Sequence, residues 1–265
     1  MTRWIRADPR QLVNTATHPI ARLEFALLSA WRPHTLLALR GHDGCVVRHH
    51  GEITKRANSA LVLAPTADEL RQAADWYVRH GRTPLAMVPC GAALPGRTRP
   101  TPDPEVLVTT ASVAGVMEAL RPDEEIPVAV DAKAPPILVD RTARRARPGT
   151  APVEAQRRAI SLLMSAPDQL FSRTPAGSVG RLALTGIDDT AVIDGLYVPP
   201  WARRRGEATT MIGTLVAVAA ADGAQRVALE VERSNDSAIA CYLRLGFRTH
   251  HRHRYVTAQA GPVAQ

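Results

Sequence analysis

The stretch from Leu196 to Phe247 constrains the chain most. An apolar strand runs to Leu196-Tyr197-Val198 and stops at Pro199-Pro200. Trp201-Ala202-Arg203-Arg204-Arg205-Gly206-Glu207-Ala208-Thr209 then leads into an apolar helix over 206–221. The first turn of a helix carries unpaired backbone N–H groups and the positive end of the helix dipole. A glycine there lets a ligand approach the backbone closely, and such a start binds phosphate oxygens. Arg203, Arg204 and Arg205 add charge and bidentate donors. Alone, Arg-x-x-Gly-x-Ala is a weak signal that a solvated basic turn would also satisfy. Its place between a strand and a helix makes it a candidate anion cradle.

The next strand, 226–232, carries Glu230 and Glu232 at alternate positions, hence on one face. The helix after it, 235–245, starts at Asn235 and stops at Gly246. Asn235, Ala238 and Tyr242 are three and four apart and share a helical face. Acyl transfer from a thioester to an amine needs a base for the ammonium and benefits from an acid for the departing thiolate. A carboxylate suits the first role and a tyrosine hydroxyl the second. Glu230 and Tyr242 are the candidates, with Asp194 and Glu232 as rivals for the base. The competing readings are a surface strand carboxylate and a ring packed in the core.

The whole segment from Gly180 reads β-β-α-β-α-β, the order of an α/β (α+β) mixed sheet with helices on its faces. Upstream, Thr35–Arg40 and Cys45–His49 flank Gly41-His42-Asp43-Gly44 as a hairpin. Thr66 and Glu69 form a capping box for a helix that Gly81 ends, and strands follow at Leu85–Val88 and Val106–Thr110, then a short helix at Ser112–Leu120. Pro89–Pro104 and Pro135–Thr150 read as irregular. A helix over Pro152–Ser165 offers Val153, Ile160, Leu163 and Met164 as a core stripe. The seam between two domains falls near residue 125, giving 1–125 and 126–265.

Composition narrows the ligand classes. The net charge is +8, yet of 33 basic residues only Lys55 and Lys133 are lysine. The arginines are scattered and few aromatics lie between them, unlike a single-strand binder, so no nucleic-acid partner is expected. No apolar run reaches about 18 residues, so no membrane span is expected. The polar first ten residues lack a secretory core, which points to the cytoplasm. Cys45, Cys90 and Cys241 lie too far apart for a disulfide frame or a zinc site. Adjacent His250 and His251 point to opposite faces of a strand, and no metal is expected.

Residues 190–256 resemble the GCN5-related N-acetyltransferase (GNAT) superfamily. Arg203-x-x-Gly206-x-Ala208 is similar to its pyrophosphate signature, and Asn235-x-x-Ala238-x-x-x-Tyr242-x-x-x-Gly246-Phe247 to its second cofactor helix. The resemblance implies a GNAT fold in the C-terminal half, with acetyl-CoA between two splayed strands. Leu196, Tyr197 and Val198 would meet pantetheine, the turn from Arg203 through Arg204, Arg205, Gly206, Glu207 and Ala208 to Thr209 would hold the pyrophosphate, and Asn235 and Tyr242 would reach the thiol. Leu229-Glu230-Val231-x-x-Ser234-Asn235 with Tyr242 looks like the ribosomal-protein alanine acetyltransferases, which implies Glu230 as base and Tyr242 as acid. The whole chain resembles a two-domain actinobacterial group that includes N-acetylglutamate synthase-like members, on Arg56-Ala57-Asn58-Ser59 and Gly246-Phe247-x-x-His250-His251-x-x-x-Tyr255. In that group the N-terminal half is a degenerate copy of the fold. Residues 20–120 hold no second phosphate turn, so that copy would lack a cofactor site.

The expected acceptor is the primary amine of a small molecule, an amino acid or an amine-bearing antibiotic, attacked directly in a ternary complex. Asp194 and Glu232 are the candidate acceptor-binding residues. Together with Asp188, Asp189 and Glu230 they lean toward a cationic acceptor. The alternatives are a protein N-acetyltransferase and a non-catalytic acyl-CoA sensor. A homodimer is compatible with all of these.

Overall fold

The computed structural model describes residues 4–42, 44–95, 98–120 and 126–257. The chain opens with β1 (Trp4–Arg6), α1 (Pro9–Thr15) and α2 (Ala21–Ala30), then β2 (Thr35–Leu39), β3 (Cys45–His49) and β4 (Ala60–Val62). Next come α3 (Ala67–Arg79), β5 (Leu85–Pro89), β6 (Arg99–Pro100), β7 (Val106–Ser112) and α4 (Val113–Ala119). After the expected seam, which lies in 121–125 and outside the described residues, follow β8 (Ala129–Asp131), α5 (Pro136–Ala143), α6 (Pro152–Leu163), β9 (Asp168–Arg173), β10 (Val179–Ile187) and β11 (Thr190–Tyr197). The chain ends with α7 (Glu207–Ala221), β12 (Arg226–Glu232), α8 (Asp236–Arg244) and β13 (Arg248–Thr257).

The strands lie in the order β1-β2-β3-β4-β5-β13-β7-β12-β11-β10-β9-β8, and β6 pairs with β13. The sheet therefore runs unbroken from one half of the sequence into the other. Two pairings make the join. β13 pairs with β5 through Tyr255↔Met87. β7, from before residue 125, is inserted between β12 and β13, matching Glu230↔Val108 and His251↔Val108 on its two edges.

α2 packs against both halves. Phe25 and Leu28 join Val46, Leu61 and Met87 of the first half. Leu23, Leu27 and Ala30 join Val108 of the inserted β7 and Ala183, Val192 and Ala228 of the second half. A helix apolar on most sides is a mostly buried helix; of the two charges on this one, Arg22 is exposed and Glu24 is 1% exposed. The opposite face of the second half is covered by α7 and α8, with Ile212, Leu215 and Tyr242 against Leu182, Ile193, Leu229 and Val231.

Several expected elements form for the expected reasons. The Thr66–Glu69 capping box is complete, with Thr66 Oγ1 accepting from the Glu69 N–H and Glu69 Oε2 accepting from the Thr66 N–H. The first hairpin pairs Leu37↔Val47, although Asp43 of its turn lies outside the described residues. Two expectations fail. Pro135–Thr150 is not irregular throughout, since Pro136 starts α5 at a position where a missing N–H costs nothing. The α6 stripe is also displaced. Val153, Ile160 and Met164 are exposed; of the expected stripe only Leu163 is buried, together with Ala155, Ala159 and Leu162. Small alanines let α6 approach Ile53, Ala57 and Phe171 more closely than the larger stripe would.

Candidate active site

β11 and β12 run parallel but pair only at Thr190↔Arg226, Ala191↔Val227 and Val192↔Ala228. Beyond Val192 and Ala228 the two strands part. The cause is local. The register of β11 on β10 shifts between Tyr197↔Val179 and Asp194↔Arg181, which is a β-bulge, and bulges bend a strand away from its partner. Gly195 sits in it with φ +62, where a side chain would be strained, and a Cβ would meet Leu138 at 3.0 Å. The wedge leaves Leu196, Tyr197 and Val198 on its β11 edge. Arg141 of α5 lies over the Tyr197 ring at 3.9 Å.

At the mouth of the wedge the backbone curls into α7. Arg204 and Gly206 are both left-handed, at φ 59 and 81, and Gly206 is the N-cap without a side-chain cap. The first intrahelical bond found there runs from the Thr210 N–H to Gly206 O, so the amides before it face the turn. Arg203 Nε donates to Val198 O at 3.2 Å and ties the turn to β11. Arg203, Arg204, Arg205 and Gly206 are exposed. Glu207 turns away, buried, and accepts from Thr174 Oγ1 at 2.6 Å. Ala208 and Thr209 follow on the first turn, and Thr209 Oγ1 lies 3.8 Å from Cys241 Sγ of α8.

The first half contains the same strand–helix–strand unit. β4 and β5 are parallel, pairing Ala60↔Ala86 and Leu61↔Met87, with α3 between them. Here, however, the Thr66 side chain caps the helix, and Asp68 and Glu69 occupy its first turn. The Thr66 and Glu69 amides are taken by the capping box and the local charge is negative, which is unfavourable for a phosphate. The start of α7 is thus left without a side-chain cap, while that of α3 is capped.

The side chains at the wedge separate by face. Val192 and Ala228 are register partners, so Asp194 and Glu230, two residues on, leave the same face, toward α2. Tyr242 packs on the other face, 6.0 Å from the Phe247 ring. Burial, with Cys241 adding, pushes its hydroxyl up to about 12, so it holds its proton at neutral pH. Asn235 caps α8, Oδ1 accepting from the Ala238 N–H at 3.2 Å. Glu232 is exposed at the end of β12.

Each carboxylate facing α2 has a guanidinium. Arg181, fully buried, donates to Asp194 Oδ2 at 2.7 Å and to Ala30 O at 2.7 Å. Arg56 of the first half pairs with Glu230 and, through Nη2 at 3.2 Å, with Glu24. Burial raises the Glu230 carboxyl against the pull of Arg56, with Glu24 adding to the rise. Burial likewise raises Asp194 against Arg181. The expected concentration of five carboxylates does not form. Asp188 and Asp189 lie in the left-handed turn at the opposite end of β11, and Asp188 pairs with Arg22. Glu24 and Arg181 carried no local signal in the sequence, and Arg56 stood only in the Arg56-Ala57-Asn58-Ser59 motif without a role, since each acquires its role from an element far away in the chain.

Residues 17–256 match the model of a family described as "Probable histone acetyltransferase Rv0428c C-terminal". The chain belongs to this family, within the GNAT superfamily. It is accordingly an acyltransferase. Solved GNAT structures share its fold along nearly its whole length. A GCN5-related N-acetyltransferase from Kribbella flavida is 16% identical, covering 94% of this chain and 98% of its own, with a TM-score of 0.59. A tandem GNAT protein from the clavulanic acid biosynthesis pathway is 12% identical, covering 97% and 94%, with a TM-score of 0.58. A putative acetyltransferase from Novosphingobium aromaticivorans is 16% identical, covering 96% and 98%, with a TM-score of 0.53. No curated protein matches the sequence. Among the described residues no helix is long and apolar enough to cross a membrane.

Proposed function

We propose that this GNAT protein moves an acetyl group from acetyl-CoA to the primary amine of a small molecule, by direct attack in a ternary complex. One observation carries the reading: Asp194 and Glu230 face one side of the wedge and Tyr242 the other. A thioester lying in the wedge would present its carbonyl to an amine on the α2 side and its sulfur toward Tyr242. Glu230 takes the amine's proton, directly or through water, and Tyr242 returns one to the thiolate. The pyrophosphate rests on the amides from Arg204 to Thr209, with Arg203 and Arg205 beside them. The pantetheine lies along Leu196, Tyr197 and Val198, with Asn235 at the start of the second cofactor helix.

The acceptor is best read as an amine that also carries a carboxylate. Asp194 and Glu230 are each matched by an arginine, and Arg145 adds charge close enough to act on Asp194. A purely cationic antibiotic would meet no excess of negative charge there. A zwitterion would place its ammonium at Glu230 and its carboxylate at a guanidinium. The resemblance to N-acetylglutamate synthase-like proteins agrees with this. The second reading, a protein amine, is favoured by the family's description as a histone acetyltransferase. α2 packed over the acceptor face argues for a smaller ligand.

Thiol release from acetyl-CoA with amino acids, aminoglycosides and histone-tail peptides as acceptors separates the readings. Turnover with amino acids is the expected result. Turnover only with peptides replaces it with the protein reading. Acetyl-CoA binding with no acceptor active in the panel points to a sensor.

A further inference from the structure

The transfer chemistry leaves one buried cluster unused. His251 and His253 alternate along β13, so both rings leave one face. The register shift between Thr249 and His251 is a bulge that sets where that face begins. Both rings meet Glu24 of α2. His251 Nε2 lies 2.7 Å from Glu24 Oε1, and His253 Nδ1 lies 3.9 Å from the same oxygen. One donor atom from each of the three falls within 4.8 Å of the others.

His253 is 2% exposed, and its Nδ1 has no hydrogen-bond partner. At 3.9 Å from a carboxylate oxygen it is too far for a hydrogen bond, and no other polar group satisfies it. A divalent ion in tetrahedral coordination, with bonds of about 2.0–2.2 Å, holds its donor atoms about 3.3 Å apart. The Glu24–His251 contact would open and the Glu24–His253 contact would close, each by about half an ångström on those bond lengths.

Partners behind the three groups fit the same reading. Glu24 Oε2 accepts from Arg56 Nη2 at 3.2 Å, leaving Oε1 for the ion. His251 Nδ1 lies 2.9 Å from His250 Nδ1, which orients the ring. His253 Nε2 lies 3.7 Å from Glu230 Oε1. Two cations stand nearby. Arg56 is matched by Glu230, and Arg48 faces the Ser59 carbonyl and hydroxyl. Two imidazoles with one carboxylate suit a zinc-class ion and not calcium or magnesium, which prefer oxygen cages.

We propose that Glu24, His251 and His253 form a buried site for one zinc-class divalent ion, which fastens α2 of the first half to the last strand of the second. The site is independent of the acetyl-transfer reading, because its binding is measured without turnover. The test uses the purified full chain, stripped with EDTA and titrated with Co(II) and Zn(II). One equivalent of Co(II) with the visible absorption of four-coordinate cobalt is expected, together with a higher Tm in Zn(II). His253→Gln and Glu24→Gln should each weaken Co(II) binding at least tenfold, and His80→Ala on the exposed end of α3 should leave it unchanged. Absence of the cobalt spectrum, or a spectrum that survives His253→Gln, overturns the proposal. Should those variants fail to fold, X-ray absorption on the zinc-loaded wild-type chain decides: two imidazole ligands support the site and none overturns it.

Discussion

Arg56 and Glu230, 174 positions apart, form an ion pair between the turn that precedes β4 and the strand that borders the acyl wedge. The pair ties the half whose α3 start is capped to the catalytic candidate of the half whose α7 start is open. Glu24 holds the other side of the guanidinium. The first half therefore supplies the wall behind the proposed base, and two predictions follow from that wall.

Removing Arg56 leaves Glu24 and Glu230 facing each other with less counter-charge. Breaking a buried pair by deleting one partner costs about 3–5 kcal/mol. Arg56→Ala should lower the unfolding free energy by that order, read as a lower urea midpoint at unchanged m. Arg56→Lys, which keeps the charge but not both contacts, should recover part of the loss. An Arg56→Ala chain as stable as wild type in urea would mean the pair contributes nothing net.

Glu230→Gln should lower kcat/KM by about 10²–10⁴, the usual worth of a general base. The loss should shrink at high pH, where free amine exists without help. In the wild type the acid limb of the profile should lie above the ordinary carboxylate range, because burial raises the Glu230 carboxyl. The base works only when ionised, so activity should rise with pH through that limb. A Gln variant with an unchanged profile would transfer the role to Asp194, whose carboxyl burial also raises.

The wedge was legible in the sequence and the wall was not. Pro199-Pro200, the Arg203–Gly206 turn and the Asn235 start are local signals, each read within a few residues. Their backbone consequences, the left-handed Gly206 and the capped α8, appear as the residue types dictate. The Glu24–Arg56–Glu230 chain joins three distant elements, and nothing near any one of them in sequence names the others. The same limit explains α6. Its heptad-spaced Val153 and Ile160 imitate a core stripe, while its packing face is set by Ala155 and Ala159, whose small size carries little periodic signal. The alternation of His251 with His253 was available in the sequence, but its value depends on Glu24 arriving from α2.

Gly206→Ala separates backbone conformation from crowding. A Cβ there would approach nothing closer than Ile126 at 3.7 Å, yet φ is +81. Holding a non-glycine residue left-handed costs about 1–2 kcal/mol. The variant should lose that stability, or shift the turn and weaken acetyl-CoA binding about tenfold, which is about 1.4 kcal/mol. Gly81→Ala, at φ +65 with open space, is the control. It should lose similar stability and keep acetyl-CoA affinity. Calorimetric titration and thermal melts read both.

Tyr242→Phe should keep acetyl-CoA binding, because the ring packs with Phe247 and the wedge-side apolar residues whether or not the hydroxyl is present. Its kcat should fall by about 10²-fold, the lower end of general-acid contributions. The wild-type alkaline limb should lie well above neutrality, since burial pushes the hydroxyl up to about 12. A Phe variant with wild-type kcat would leave the ring a packing role alone.

His50 gives stability a pH dependence unrelated to turnover. Its ring is buried and stacked on His34 at 3.8 Å between centroids. Burial, with His34 adding, pushes it down to about 4, against 6.5 for the free group. Between those values the unfolded chain binds the proton and the folded chain does not, so stability falls as pH falls. The contribution is fully present above about pH 6.5 and disappears as pH drops through about 4, with a size on the order of 2 kcal/mol. Urea midpoints at pH 7.5 and pH 4.5 measure it. His50→Gln should narrow the gap between the two midpoints relative to wild type. An equal gap in both chains would show that His50 titrates alike in the folded and unfolded states.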